Sequence, residues 1–204
     1  MSDNFFPVRA VHPVRSKVVE QNRYTLYRND LRKDFANSCG YCGDDDLRVD
    51  RIAFHIDHFA PKRRFPDLEL DYNNLVYSCR FCNVSKSDHW IGEDASKAND
   101  GERGFIDPCS EDYEAHLRRE PYGRIVGETP LGRYIVRRLK LNLLRHELLW
   151  QARRARNLRD EVHKLKEKLN DDGKRHTSAY LNLAEHFITL TLAIEDYELR
   201  ANNK

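Results

Sequence analysis

The chemistry-bearing residues of this chain are concentrated between Cys39 and Lys86. The stretch reads C-G-Y-C-G, then H-I-D-H-F-A-P-K, then N-N-L-V-Y-S-C-R-F-C-N-V-S-K. Two C-x-x-C pairs, Cys39/Cys42 and Cys79/Cys82, bracket the Asp57-His58 pair and Asn74, and Asn83 follows directly. One C-x-x-C turn brings two thiolates to one cation, and two such turns complete a tetrahedral S₄ site. These four cysteines are expected to hold a structural Zn²⁺. Disulfides would need an oxidising compartment, and the start, M-S-D-N-F-F-P-V-R, has no apolar h-region, so a cytoplasmic location is expected. A thioredoxin-like redox site needs one pair beside a βαβ pattern, which the sequence lacks. The alternative that remains is four buried thiols without metal.

Asp57 and His58 close the alternating run Arg51-Ile52-Ala53-Phe54-His55-Ile56, which reads as a short strand. Neighbours on an ideal strand point to opposite faces. A twist or bulge is therefore expected, so that carboxylate and imidazole can address one site. Taken alone, the pair would be an ordinary surface Asp-His.

Together, C-x-x-C, I-D-H-F-x-P and N-L-V-x-x-C-x-x-C-N-x-x-K resemble the zinc-supported HNH nucleases of the ββα-metal class. The resemblance implies a role for each matching residue. His58 would be the general base, Asp57 and Asn83 the ligands of a catalytic divalent metal, and Asn74 the residue that orients the base or its strand. Lys86 would be a phosphate-facing cation. The residue types suit phosphodiester hydrolysis. A neutral imidazole near pH 7 can take a proton from water. A carboxylate and an amide oxygen can hold Mg²⁺ or Mn²⁺, with waters completing the shell. Thiolates are the wrong ligands for Mg²⁺, so one segment is expected to serve two different metals.

The elements that must position these groups read as follows. Residues 1–16 form an extended arm packed through Phe5 and Phe6, and about 17–35 form a helix with Tyr24, Tyr27, Leu31 and Phe35 on one face. Asp44-Asp45-Asp46 reads as a solvated turn. Lys62-Arg63-Arg64 is a basic loop, either solvated or, through Lys62 and Arg63, in contact with phosphate. A helix from about Arg80 carries Asn83 and Lys86, and His89 one turn on. Residues 105–109 suggest a short strand, as do residues 123–127. Cys109 has no assigned role. Thr129-Pro130 is a helix start. Two long helices then follow, with a stripe of Leu144, Leu148, Ala152, Ala155, Leu158, Val162, Leu165 and Leu169 on the first. The second starts near Ser178 and packs antiparallel. The expected organisation is an N-terminal arm and helix (1–35), the nuclease core (36–92), a connecting segment (93–128) and a helical region (129–204). The fold class is α+β.

Net charge is only +2, but residues 131–169 hold twelve Lys/Arg against four Asp/Glu. The face carrying Arg153, Arg154, Arg156 and Arg159 is either solvated or binds a nucleic-acid backbone. No apolar run is long enough to span a membrane. The wider layout, with its later D-P-C segment and the step Leu139-Lys140-Leu141-Asn142 into a long helix, is similar to the HNH subunits of Septu-type and retron-associated phage-defence systems. That resemblance implies an ABC/AAA-type ATPase partner. A non-catalytic zinc-ribbon binding module would need only the cysteines, and an interaction subunit would cleave only inside a complex. DNA is the default substrate, and RNA the alternative.

Overall fold

The computed structural model describes residues 5–47 and 53–202. The chain forms two compact units, Met1–Leu143 and Leu144–Lys204. The boundary falls after Leu143 rather than at residue 128, because the helix over residues 130–139 packs within the first unit.

The segment that carries Asp57, His58 and Asn83 is a ββα element. Strand β1 (Phe54–His58) pairs antiparallel with β2 (Leu75–Cys79), and helix α2 (Arg80–Lys86) follows at once. The register is continuous, with Phe54 opposite Cys79, Asp57 opposite Val76 and His58 opposite Leu75. The expected bulge at Asp57-His58 is therefore not there. Arg51 and Ile52 lie outside the described residues. All five residues of β2 are buried, as suits a strand covered on both faces. Phe54 stacks on Tyr77, and Leu31 and Phe35 join the same core.

The helix expected over 17–35 is shorter. A 3-10 turn at Tyr24–Tyr27 leads into α1 (Arg28–Asp34), and residues 17–23 are not helical. The arm before it is pinned by arginines more than by phenylalanines. Phe5 is exposed, whereas Val8 and Arg9 are buried. Arg9 pairs with Glu114 at 2.8 Å and lies over the Tyr113 ring. Arg15 forks onto Asp107 at 2.8 and 3.0 Å and donates to the Leu75 carbonyl. Phe6 bridges Arg119 through its backbone, and buried Arg119 donates to the carbonyls of Val8 and Gly123. Asp107 is thus committed to holding the arm, and residues 105–109 form no strand.

A short helix α3 (Tyr113–His116) leads into the hairpin β3 (Leu117–Arg119) and β4 (Ile125–Gly127). Helix α4 (Pro130–Leu139) starts as expected. The Thr129 hydroxyl accepts from the Gly132 amide at 3.0 Å, Pro130 occupies the first turn, and left-handed Lys140 ends it.

The second unit is a helical hairpin of α5 (Leu144–Asp171) and α6 (Ser178–Asn202). Arg156 pairs with Glu198 at 2.7 Å, and His163 meets Phe187, so the helices run antiparallel. Leu148, Ala152 and Val162 are buried as the stripe requires, but Leu158 and Leu165 are 50% and 55% exposed. A single partner helix covers a narrower face than the stripe provides. Arg154 lies over the Trp150 ring and Arg159 over the Phe187 ring, so with Arg156 three of the four arginines expected to form a basic face are engaged within this hairpin.

Candidate active site and zinc centre

The zinc frame starts from two tight turns. Between Cys39 and Cys42 the chain folds so that the Gly43 amide donates to the Cys39 carbonyl at 2.9 Å. Gly43 sits at φ +72, and a Cβ there would lie 2.6 Å from the Val8 carbonyl oxygen, so no side chain fits. Cys79 caps α2 and Cys82 lies in its first turn, with the Cys82 amide directed at the Cys79 sulfur. The four thiols are buried, with their sulfurs within 4.8 Å of one another. Cys42 Sγ and Cys79 Sγ are 3.8 Å apart. A tetrahedron with Zn–S bonds of about 2.3 Å has edges of about 3.8 Å, so the cluster fits zinc. Burial pushes the Cys42 thiol well above its ordinary value, whereas hydrogen bonds from the other three thiols hold Cys39 low despite burial. Four buried sulfurs this close together form a donor set that a central cation completes by replacing the thiol protons. Cys109 lies outside this group, its thiol pushed up to about 11 by burial.

A cleft of about 460 Å³ lies at the end of β1, bordered by Asp57, His58, Asn83, Lys62 and Arg63. Asp57 and His58 both line it at the end of β1, with the strand register undistorted. His58 Nε2 lies 3.0 Å from the Glu69 carbonyl oxygen. A carbonyl only accepts, so Nε2 carries the proton and the lone pair resides on Nδ1. Burial lowers the His58 pKa, and nearby Lys62 also favours the neutral ring. Tyr24 meets the imidazole edge-on at 4.8 Å.

Asn74 works as a clamp behind this imidazole. Its Oδ1 accepts from the Ala60 amide at 2.8 Å, and Nδ2 donates to the Ala60 and Leu68 carbonyls at 3.0 and 3.2 Å. It thereby fixes the backbone two residues after His58 and the residue before Glu69, whose carbonyl holds the ring. The 3-10 turn bearing Asn74 (Tyr72–Asn74) is capped by Asp71.

Asp57 is buried, with two polar partners. The Tyr41 hydroxyl donates to Oδ2 at 2.6 Å, and Lys86 Nζ lies 3.1 Å from the same oxygen and 2.8 Å from the His58 carbonyl. Burial raises the Asp57 pKa, and Lys86 and Tyr41 oppose that rise. Burial and the Asp57 charge push the Tyr41 phenol well up, so it remains a donor. Asn83 Nδ2 lies 3.0 Å from His55 Nδ1. Burial, with Arg28 and Arg80, lowers the His55 pKa, which suits a neutral ring accepting from that amide. This leaves Asn83 Oδ1 outside that bond, and Asp57 and Asn83, which both line the cleft, offer a carboxylate and an amide oxygen. That is a hard-oxygen pair appropriate to Mg²⁺ or Mn²⁺.

Two sequence expectations change here. Lys86 does not face phosphate: it is fully buried and ion-paired to Asp57, because its helix position aims it beneath β1. Asp44 and Asp46 are buried rather than solvated; Asp46 takes two hydrogen bonds from Arg32 and one from the Tyr77 hydroxyl. Lys62 and Arg63 do border the cleft, the former paired with Glu69 at 2.6 Å and the latter with Asp88 at 3.3 Å. Arg64 instead donates to the Trp90 and Gly92 carbonyls. His89 stacks on Tyr134. Tyr41 and His55 escaped the sequence reading. Tyr41 had one signal, an aromatic inside a C-x-x-C turn, where burial obliges its hydroxyl to find a partner.

This ββα frame with its cysteine cluster matches the family model described as HNH endonuclease over residues 39–89, and that segment is an HNH endonuclease domain. Two curated relatives extend the similarity beyond it. Septu protein PtuB of Bacillus thuringiensis is 30% identical over 110 residues, covering 53% of this chain and 38% of the relative. Septu protein PtuB of Bacillus mycoides (strain KBAB4) is 32% identical over 119 residues, covering 48% of this chain and 40% of the relative. The match thus spans about two fifths of the length of these relatives. No solved structure matches the chain significantly. Among the described residues, no helix is long and apolar enough to cross a membrane.

Proposed function

We propose that this chain is a metal-dependent endonuclease hydrolysing phosphodiester bonds, with DNA as its substrate. We propose further that it is the effector nuclease of an antiphage defence system, working with an ABC/AAA-type ATPase subunit. The observation that carries the catalytic reading is the state of His58: Nε2–H is committed to the Glu69 carbonyl, and Nδ1 is left as the acceptor. Nδ1 takes the proton of a water attacking phosphorus while the bond to the leaving oxygen breaks. Asn74 keeps the ring from turning, through the backbone on either side of it.

Asp57 and Asn83 would hold a divalent cation, Mg²⁺ or Mn²⁺, which supplies positive charge to the scissile phosphate and leaving oxygen. Tyr41 orients the carboxylate for that task, since hydrogen-bonded partners of metal ligands set their direction and affinity. Lys62 and Arg63 meet substrate phosphates at the cleft rim. The Cys39/Cys42/Cys79/Cys82 zinc ties the turn bearing Tyr41 to the start of α2, which bears Asn83. No step in this scheme uses a ribose 2′-hydroxyl, which favours DNA.

The defence role and the ATPase partner rest on similarity to the Septu PtuB proteins and on the layout shared with Septu-type systems. The test is nicking of supercoiled plasmid by the purified chain, alone and with such an ATPase, across a Mn²⁺ titration. The reading expects nicking that depends on Mn²⁺, with Asp57→Asn and Asn83→Ala requiring more metal. Nicking unaffected by chelating the divalent cation would remove it.

A further inference from the structure

Outside the HNH segment, the first unit contains a second concavity, of about 730 Å³, between the β3–β4 hairpin, the loop near Arg103 and helix α4. Four arginines line it: Arg103, Arg124, Arg133 and Arg137. One acid, Glu102, shares the wall, so the groove carries a clear positive excess. All four arginines are exposed. Arg103 pairs with Asp100 at 3.1 Å, and Arg133 makes only a 3.3 Å contact with the Glu128 carbonyl. No side-chain hydrogen bond or ion pair of Arg124 or Arg137 occurs among the described residues. This contrasts with Arg9, Arg15, Arg32 and Arg119, which are committed to holding the fold.

The groove is built on rigid elements. Gly127 of β4 approaches α4 so closely that a Cβ would fall 2.2 Å from the Arg133 amide nitrogen. A Cβ on Gly132 would fall 1.9 Å from the His116 carbonyl oxygen. Strand and helix therefore meet backbone to backbone, and the relative positions of Arg124, Arg133 and Arg137 are fixed by that contact. Arg133 and Arg137 are four residues apart on α4, so they share one face about 6 Å apart along the axis. Helix α4 also packs against α2, the helix of Asn83, and Tyr134 on the groove wall stacks on His89 just past the end of α2.

We propose that this arginine groove binds the nucleic-acid backbone flanking the cleavage site, with Arg124, Arg133 and Arg137 taking successive phosphates. This rests on the nuclease reading of the HNH cleft. A guanidinium fork matches a phosphate, and unpaired exposed arginines give up few internal bonds on binding. Attachment of α4 to the catalytic helix explains why such a groove would serve the substrate rather than an acidic protein.

The test measures binding of a fluorescein-labelled mixed-sequence DNA duplex to full-length His58→Ala protein, with and without Arg133→Gln and Arg137→Gln together. Loss of two phosphate contacts should weaken binding on the order of tenfold or more at moderate salt. It should also lower the slope of log affinity against log salt by about 1.8. In protein retaining His58, the double substitution should raise the substrate concentration needed and leave the saturated single-turnover rate unchanged. Zinc content and thermal midpoint should not move. Unchanged affinity and slope would overturn the groove and leave the nuclease reading intact. So would weakened binding of a polyglutamate probe with DNA binding preserved, which would mark an acidic protein partner instead. Absent cleavage with an arginine-dependent binding slope would reject the nuclease reading and keep the groove as a nucleic-acid site.

Discussion

Replacing Lys86 by Met separates its two possible roles. The side chain is fully buried, and its ammonium lies 3.1 Å from Asp57 Oδ2 and 2.8 Å from the His58 carbonyl oxygen. Met nearly preserves the volume, so packing against Phe105 changes little. What is lost is the counter-charge of a carboxylate that is itself buried. Removing one partner of a buried pair costs about 3–5 kcal/mol, because the other charge is left uncompensated. For a chain of this size each kcal/mol shifts the thermal midpoint by about 2–4 °C, so a fall of roughly 6–20 °C is expected. The Asp57 pKa, already raised by burial, should rise further. Its charged form is then disfavoured, and the destabilisation should ease as pH falls and the carboxyl takes up a proton. Adding Asp57→Asn to Lys86→Met removes both charges and should recover much of the loss, a coupling that a double-mutant cycle reads directly. The assay is thermal unfolding of zinc-loaded protein at several pH values. Wild-type stability in Lys86→Met, with weaker DNA binding, would refute the buried pair and restore the phosphate-facing role.

Tyr41→Phe keeps the buried ring and removes the hydroxyl on Asp57; zinc content should hold, while Mn²⁺ binding measured by electron paramagnetic resonance should weaken about 10–100-fold. Asn74→Ala deletes three hydrogen bonds of the clamp, leaving buried backbone groups unpaired at a cost of about 1–3 kcal/mol, and should lower the single-turnover rate more than substrate affinity. The pH profile of that rate should show an acidic limb below pH 6.5, the ordinary histidine value, since burial lowers the His58 pKa and keeps Nδ1 free of a proton to lower pH. A limb above 6.5 would mean that another group is titrating.

The parts of this site written in local spacing were legible in the sequence. The two C-x-x-C turns announce a four-thiol centre, and the Cys82-Asn83 step fixes Asn83 on the first turns of a helix. Thr129-Pro130 likewise marked the start of α4 without tertiary information. What the sequence could not show depends on long-range packing. Lys86 is three residues from Asn83, and helical spacing alone put both on one face; only the position of β1 reveals that Lys86 is covered while Asn83 borders the cleft. The Asp44–Asp46 run looked solvated because its partners, Arg32 and Tyr77, are remote in sequence. Residues 17–23 have only the adjacent Val18 and Val19 as apolar residues, so the helical spacing that starts at Tyr24 does not extend back over them, and the arm just before them is held by Arg15–Asp107 and Ser16–Asp34 contacts. The basic stripe on α5 drew attention to Arg154 and Arg156, which the hairpin uses, and away from Arg124, Arg133 and Arg137, which only the fold gathers.

The central claim is that His58 is the general base of a phosphodiester hydrolysis carried out by the HNH segment. Its most direct test is single-turnover cleavage of a labelled DNA duplex in Mn²⁺ by wild type and by His58→Ala, each shown to be folded and equally loaded with zinc. Removing a positioned base should slow the reaction by about 10²–10⁴-fold with DNA affinity unchanged. Equal rates in the two proteins would contradict it.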